Sequence, residues 1–195
     1  VPFGDPAHPI AQVSAARQPE QAEALWREIA AQDGIDLGIG PWCEDRPVYS
    51  SEAFESVFMP GQRRSLHLGL DLFAPAGTML RTPLDGEVVD LFATDLPLDY
   101  GHAVLLRHEP EPGVVFHSLW GHLAAQAVAE RRRGEKLRAG DAIGRMGAPA
   151  ENGNWQPHVH IQLVTYDAPR AADVIGAGEA IYRDVWAELF PNPAS

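Results

Sequence analysis

The chain has 195 residues, 45% of them hydrophobic, and a formal net charge of −12. This length suits one well-filled core and is too short for two ordinary domains. The acidic balance argues against nucleic acid as a partner, because phosphate binding needs clustered Lys and Arg. A single cysteine, Cys43, excludes a scaffold held by internal disulfides. No apolar run approaches the roughly 18 residues of a membrane-spanning helix, so no membrane span is predicted.

Residues 1–60 are predicted to form an N-terminal extension with one amphipathic helix and a wrapping loop. The helix is expected over residues 19–31, since Pro19 suits a first turn and Gly34 suits the end. Its apolar residues recur at helical spacing: Ala22, Leu25, Trp26, Ile29 and Ala30. Glycines and prolines interrupt the pattern from there to residue 60, which predicts the loop.

Residues 61–168 are predicted to form the core, from short apolar runs separated by turn residues. The predicted strands span residues 67–73, 86–92, 102–108, 114–119, 142–146 and 158–165. In the tail 169–195, a closing helix ending before Pro191 is predicted from Ile181, Val185, Trp186 and Leu189. The expected fold class is mainly β: an antiparallel sheet or sandwich with peripheral N- and C-terminal helices, all forming one compact unit.

Two of these strands carry metal-type ligands on one face and aliphatic side chains on the other. Alternation puts His67 and Asp71 on the same side of the first strand, and His158, His160 and Gln162 on the same side of the last. Buried imidazoles and carboxylates need partners. A shared divalent metal is one partner, and two imidazoles with one carboxylate leave a fourth position open, as in catalytic zinc sites. The alternative is a hydrogen-bonded polar strand face without metal.

The spacing resembles the lysostaphin-type or LytM-type zinc endopeptidases, whose core is a duplicated hybrid motif. That family carries His-x-x-x-Asp, a Tyr-x-His-Leu segment and His-x-His in this order, and the sequence has counterparts at residues 67–71, 120–123 and 158–160. The resemblance covers about residues 62–166. It implies one Zn²⁺ per chain, with ligands His67, Asp71 and His160, and with His122 and His158 as catalytic histidines outside the ligand set.

Three more side chains are predicted near the site. Trp120 stands where the family usually has Tyr, and Trp155 precedes the second ligand strand. Both are predicted to line a substrate groove, although burial in the core is the commoner fate of Trp. Gln162 shares the ligand face and is predicted to support the site from behind the ligands, with outward solvation as the alternative.

The resemblance implies a zinc-dependent metalloendopeptidase that hydrolyses amide bonds of peptidoglycan-type or other small peptides. Residues 44–49, 152–157 and 186–193 resemble, more narrowly, a peptidase-like domain of large bacterial proteins. In those proteins it lies between a kinase-like phosphotransferase domain and a class-III, pyridoxal-phosphate aminotransferase domain. The alternative function is therefore an intracellular module with a binding or regulatory role and no physiological peptidase activity. A cytoplasmic location is expected, with a periplasmic or extracellular one as the alternative for a trimmed chain.

Overall fold

Antiparallel strands make up most of the fold. The computed structural model describes residues 3–56 and 58–195. Its strands are β1 (Gly38–Gly40), β2 (Leu66–His67), β3 (Leu70–Phe73), β4 (Met79–Arg81), β5 (Gly86–Ala93), β6 (His102–Glu111), β7 (Val114–Leu123), β8 (Lys136–Leu137), β9 (Ala142–Arg145), β10 (His158–Val164) and β11 (Ala177–Gly178). Its helices are α1 (Pro9–Ala15), α2 (Pro19–Asp33), α3 (Ala125–Glu130) and α4 (Arg183–Leu189). Within the described part, no helix is long and apolar enough to cross a membrane.

One large sheet organises the strands. In the described residues its order is β1-β3-β10-β7-β6-β5-β8, and two small pairs, β11–β2 and β4–β9, flank it. All pairings among these strands are antiparallel. The predicted mainly β, antiparallel fold class is confirmed.

Each face of the sheet is covered by its own apolar cluster. Along β6, Val104 and Leu106 enter one cluster while Ala103 and Leu105 enter the other, which is the alternation expected of a strand buried on both sides. The first cluster is closed by α3 through Ala127. The second is closed by the C-terminal region, where Phe190 is 1% exposed.

The N-terminal extension contains two helices, not the single helix expected. α2 begins at Pro19 and is capped by Gly34, whose left-handed φ of 65° brings the N–H of the following Ile35 to the Ala30 carbonyl at 2.8 Å. The unexpected α1 starts after His8, whose Nδ1 caps the Ile10 N–H. With only seven residues, it shows too few turns for an apolar period to stand out in sequence. Both helices pack on Phe73 at the end of β3.

The predicted strand over residues 67–73 is broken in two. β2 pairs with β11, whereas β3 pairs with β1 and β10, and Leu68 and Gly69 lie between them outside the ladder. A Cβ on Gly69 would lie 2.5 Å from Cε1 of His160, so the chain at this point leaves room for that ring. The closing helix also differs: α4 packs through Trp186 and Leu189, while Ile181 and Val185 stay exposed.

Candidate active site

Three buried side chains converge between β2, β3 and β10. The Nε2 atom of His67 lies 3.0 Å from Nδ1 of His160, and the Oδ1 atom of Asp71 lies 3.1 Å from each of these nitrogens. The antiparallel register places Asp71 directly opposite His160. The structure therefore brings together the three side chains predicted as ligands, and it brings one donor atom of each to a common point.

Hydrogen bonds on the far side of each ring fix the two tautomers. Nδ1 of His67 lies 3.0 Å from the Pro41 carbonyl, which can only accept, so Nδ1 carries the proton. Nε2 of His160 lies 2.8 Å from Oε1 of Gln162, and the amide nitrogen of Gln162 donates to the Ile175 carbonyl. Gln162 therefore holds His160 from behind, in the position predicted for it. In the neutral form of each ring, the nitrogen that faces the centre is therefore the one without a proton.

The donor set fits a divalent metal. Two imidazole lone pairs and a carboxylate oxygen face one another, which is repulsive unless a cation lies among them. Burial and the nearby Arg46 lower the pKa of His67 to about 4, so its ring is neutral at pH 7. Bonds of about 2.0–2.1 Å in tetrahedral geometry place zinc ligands about 3.3 Å apart. The separations of 3.0 to 3.1 Å found here are close to that value.

Arg46 is part of this centre and was missed in the sequence. Its Nη1 donates to Oδ2 of Asp71 at 2.6 Å and to the Tyr49 hydroxyl at 3.0 Å, and its Nε donates to Glu44 at 2.8 Å. The side chain is 3% exposed. Burial works to raise the pKa of Asp71, but His67 and Arg46 hold it well below its usual range. Arg46 therefore keeps Asp71 ionised and directs its other oxygen toward the histidines.

His122 and His158 lie beside the three donors. Their ring centroids are 4.3 Å apart, and Nε2 of His158 is 3.9 Å from Oδ1 of Asp71. Nδ1 of His122 donates to the Asn152 carbonyl at 2.8 Å, and Nδ1 of His158 donates to the Gln156 carbonyl at 2.7 Å. Burial lowers the pKa of both imidazoles, that of His122 well below its usual range. Each therefore offers an unprotonated Nε2 at neutral pH.

A β-bulge aims His122 at the site. The register pairs Val104 with Trp120 and His102 with Leu123, so three steps along β7 face two steps along β6. His122 takes a left-handed φ of 62° within this bulge. Regular alternation would put His122 on the same face of the sheet as Trp120. The bulge reverses this, because Trp120 and Leu123 both enter one core cluster whereas His122 contacts His158 on the opposite face.

The two tryptophans occupy different environments. Trp120 is 5% exposed, packs in the core opposite the site and donates its indole N–H to Ser118 at 2.9 Å. This corrects the expectation that Trp120 lines a substrate groove, because its side chain lies on the face of the sheet opposite the predicted ligands. Trp155 lies beside the site, with its ring edge-on to those of His122 and His158 at 6.1 and 6.4 Å.

The N-terminal extension forms one wall of the site. A narrow cavity of about 40 Å³ is bounded by Asp71, His122, His158 and His160 on the sheet side. The facing wall comes from Phe3, from the α1–α2 connection and from residues 46–49. Its position could not be predicted from the sequence, since the contacts join residues that are far apart along the chain.

Comparison with known proteins adds an independent finding. The family model described as peptidase family M23 matches residues 65–172. Two curated proteins named DD-carboxypeptidase/endopeptidase Mpg are similar to the chain over 97 residues, at 34% identity in Neisseria meningitidis serogroup B and 33% in Neisseria gonorrhoeae. The match covers 50% of this chain and 20% of either relative. The chain thus spans about a fifth of the length of these relatives.

Two solved structures are also similar. A mutant catalytic domain of the prophage-encoded M23 protein EnpA from Enterococcus faecalis has a TM-score of 0.44 at 21% identity, covering 63% of this chain and 82% of that one. The catalytic domain of lysostaphin from Staphylococcus simulans has a TM-score of 0.43 at 19% identity, covering 76% and 91%.

Proposed function

The chain belongs to peptidase family M23, and from this premise we propose that it is a zinc-dependent hydrolase of amide bonds in peptidoglycan-type or other small peptides. Zinc would be held by His67, Asp71 and His160, and His122 and His158 would carry out proton transfer. The observation that carries the proposal is the triangle of three potential ligand atoms beside two further imidazoles, those of His122 and His158.

Zinc bound at this centre would polarise the substrate carbonyl and lower the pKa of water, which makes a nucleophile available near neutral pH. The chain's own residues supply the rest. Nε2 of His122 or His158 accepts the proton of the attacking water, and the resulting imidazolium delivers a proton to the leaving amine nitrogen. A positively charged imidazole also stabilises the developing negative charge on the carbonyl oxygen. Arg46 holds Asp71 in its ionised form throughout.

Small peptides with D-amino acids are the first substrates to try. The Neisseria relatives are named DD-carboxypeptidase/endopeptidase, which supports a peptide containing D-Ala. Because the chain covers only a fifth of those proteins, this substrate class is a proposal for the present chain.

Metal analysis and a peptide assay test the proposal together. Zinc would be measured by elemental analysis in the unmodified protein, in His67→Ala and His160→Ala, and in the control His8→Ala. We expect one zinc per chain, lost in the two ligand variants and kept in the control. Pentaglycine and D-Ala peptides would then be incubated with and without a chelator. Chelator-sensitive cleavage is expected, and zinc binding without cleavage of any peptide would refute the catalytic part of the proposal.

Fusion to kinase-like and aminotransferase-like domains stays a prediction from resemblance. The genomic sequence on either side of this segment would test it. Flanking catalytic domains would support a module of a larger intracellular protein, whereas an export signal would support hydrolysis of the cell wall.

A further inference from the structure

A second pocket, called here the apolar pocket, opens next to the candidate site. It has a volume of about 350 Å³. Its wall is contributed by the loop after β5, by the 3-10 turn at residues 52–54 and by the segment before β11. The main lining side chains are Phe54, Phe92, Leu96, Leu98, Tyr100 and Val174.

The apolar pocket is continuous with the catalytic centre. His122, His160 and Trp155 line both this pocket and the narrow cavity of the site. Trp155 stands at the junction, edge-on to the stacked rings of Tyr49 and Phe54 at 6.2 and 6.5 Å. A peptide whose scissile bond lies at the histidines would therefore have a neighbouring side chain at the mouth of the apolar pocket.

Some polar groups of the wall are bonded to backbone, whereas Nε of Arg64 is buried without a hydrogen-bond partner among the described residues. Nη2 of Arg64 donates to the Ala53 carbonyl at 2.6 Å, and the carboxylate of Asp99 accepts from the Tyr100 N–H at 2.7 Å. The Tyr100 hydroxyl donates to the Val174 carbonyl at 3.1 Å. Most of the lining residues are apolar, so an occupant meets their side chains as well as the polar groups of Arg64 and Asp99.

We propose that the apolar pocket is the subsite for a large apolar side chain on a substrate residue next to the scissile bond; this rests on the proposed peptidase function. A space of about 350 Å³ is many times the roughly 10–15 Å³ of cavity that one water needs. A leucine or phenylalanine side chain would displace water from the aromatic and aliphatic walls, whereas glycine would leave them wet.

Substituted pentaglycines provide the first test. One glycine at a time is replaced by leucine, phenylalanine or glutamate, and kcat/KM is measured. At one position we expect leucine and phenylalanine to raise kcat/KM at least about tenfold over glycine, with no gain for glutamate. Equal rates for glycine and leucine at every position, or a preference for glutamate directed by Arg64, would overturn the subsite.

Two exposed positions allow the pocket to be altered without touching the core. Ala172→Trp fills the mouth, and Leu96→Ser makes an exposed part of the wall polar; Leu96 is 65% exposed. The ratio of leucine to glycine rates should fall toward one in both. Ala129→Trp on α3 and Leu84→Ser, at a side chain 41% exposed, are matched controls that should keep the ratio. An unchanged ratio in the first pair would overturn the proposal.

A binding measurement separates this inference from the proposed function. The Nε1 of Trp155 is buried without a hydrogen-bond partner among the described residues, so its N–H signal should report occupancy. We expect N-acetylphenylalaninamide to shift this signal saturably, N-acetylglycinamide not to shift it, and Ala172→Trp to abolish the shift. Binding without cleavage of any peptide would show that the pocket takes an apolar side chain, but it would refute the peptidase and with it the assignment of the pocket as a protease subsite. Cleavage of pentaglycine with no shift would overturn the subsite alone.

Discussion

Replacing Arg46 with Met tests whether the Arg46 guanidinium compensates the buried negative charge of Asp71. The substitution keeps an unbranched side chain but removes the bonds to Asp71, Glu44 and Tyr49. Removing one partner of a buried ion pair typically costs about 3–5 kcal/mol, because the other charge stays buried and uncompensated. Asp71 is 2% exposed in its side chain, so the full cost is expected in the metal-free protein.

Zinc should reduce this cost, since a cation between the ligands compensates Asp71. What remains is the loss of hydrogen bonds to Glu44 and Tyr49, worth about 1–3 kcal/mol. The assay is urea unfolding of both proteins, with chelator and with saturating zinc. We expect Arg46→Met to lower the free energy of unfolding more with chelator than with zinc.

A second arginine–aspartate pair provides the control. Arg170 is paired with Asp173, and their side chains are 66% and 39% exposed, so Arg170→Met should cost little in either condition. If Arg46→Met costs the same with chelator as with zinc, Arg46 does not act as the counter-charge of Asp71.

Three further results are expected. His122→Ala and His158→Ala should keep zinc by elemental analysis and lose about 10²–10⁴-fold in kcat, because each removes a proton-transfer group but no ligand. Chelation should lower the free energy of unfolding of the unmodified protein, and zinc at 100 times its Kd should restore about 2.7 kcal/mol; His160→Ala should show neither effect. Gly69→Ala should weaken zinc binding at least about tenfold in a competition assay, because its Cβ would lie 2.5 Å from the His160 ring.

Each of these has a clear contrary result. Near-normal kcat in either imidazole variant would remove that residue from the mechanism. A chelator effect that persists in His160→Ala would place the stabilising metal elsewhere, and full zinc affinity in Gly69→Ala would mean that the ring has room to move.

Strand alternation accounts for the part of the centre that the sequence could predict. His158, His160 and Gln162 are spaced by two in one strand, and they do face the same side. Whether Asp71 meets His160 depends on the register between β3 and β10, which alternation within one strand cannot predict. The family resemblance implied that the two residues share a metal, and the direct pairing of Asp71 with His160 explains how they meet.

The other features of the site depend on backbone geometry and long-range contacts that leave no pattern in the local sequence. A left-handed residue inside β7 reverses the face of His122, so alternation alone would have grouped it with Trp120. Arg46 lies in a loop without periodicity and meets Asp71 across 25 positions of sequence. The interruption between β2 and β3 at Gly69 is likewise explained by the neighbouring His160 ring, which a glycine in the sequence does not by itself reveal.

The location of Arg46 affects how the peptidase core can be cut or transplanted. The family match begins at residue 65, whereas Arg46 and its partners Glu44 and Tyr49 precede it. A fragment trimmed to the matched borders would retain every proposed ligand and both proposed catalytic imidazoles, yet it would leave the buried carboxylate of Asp71 without the Arg46 guanidinium. The smallest unit that keeps this site intact is therefore longer than the segment that matches the family, because the loop before that segment is part of the candidate site.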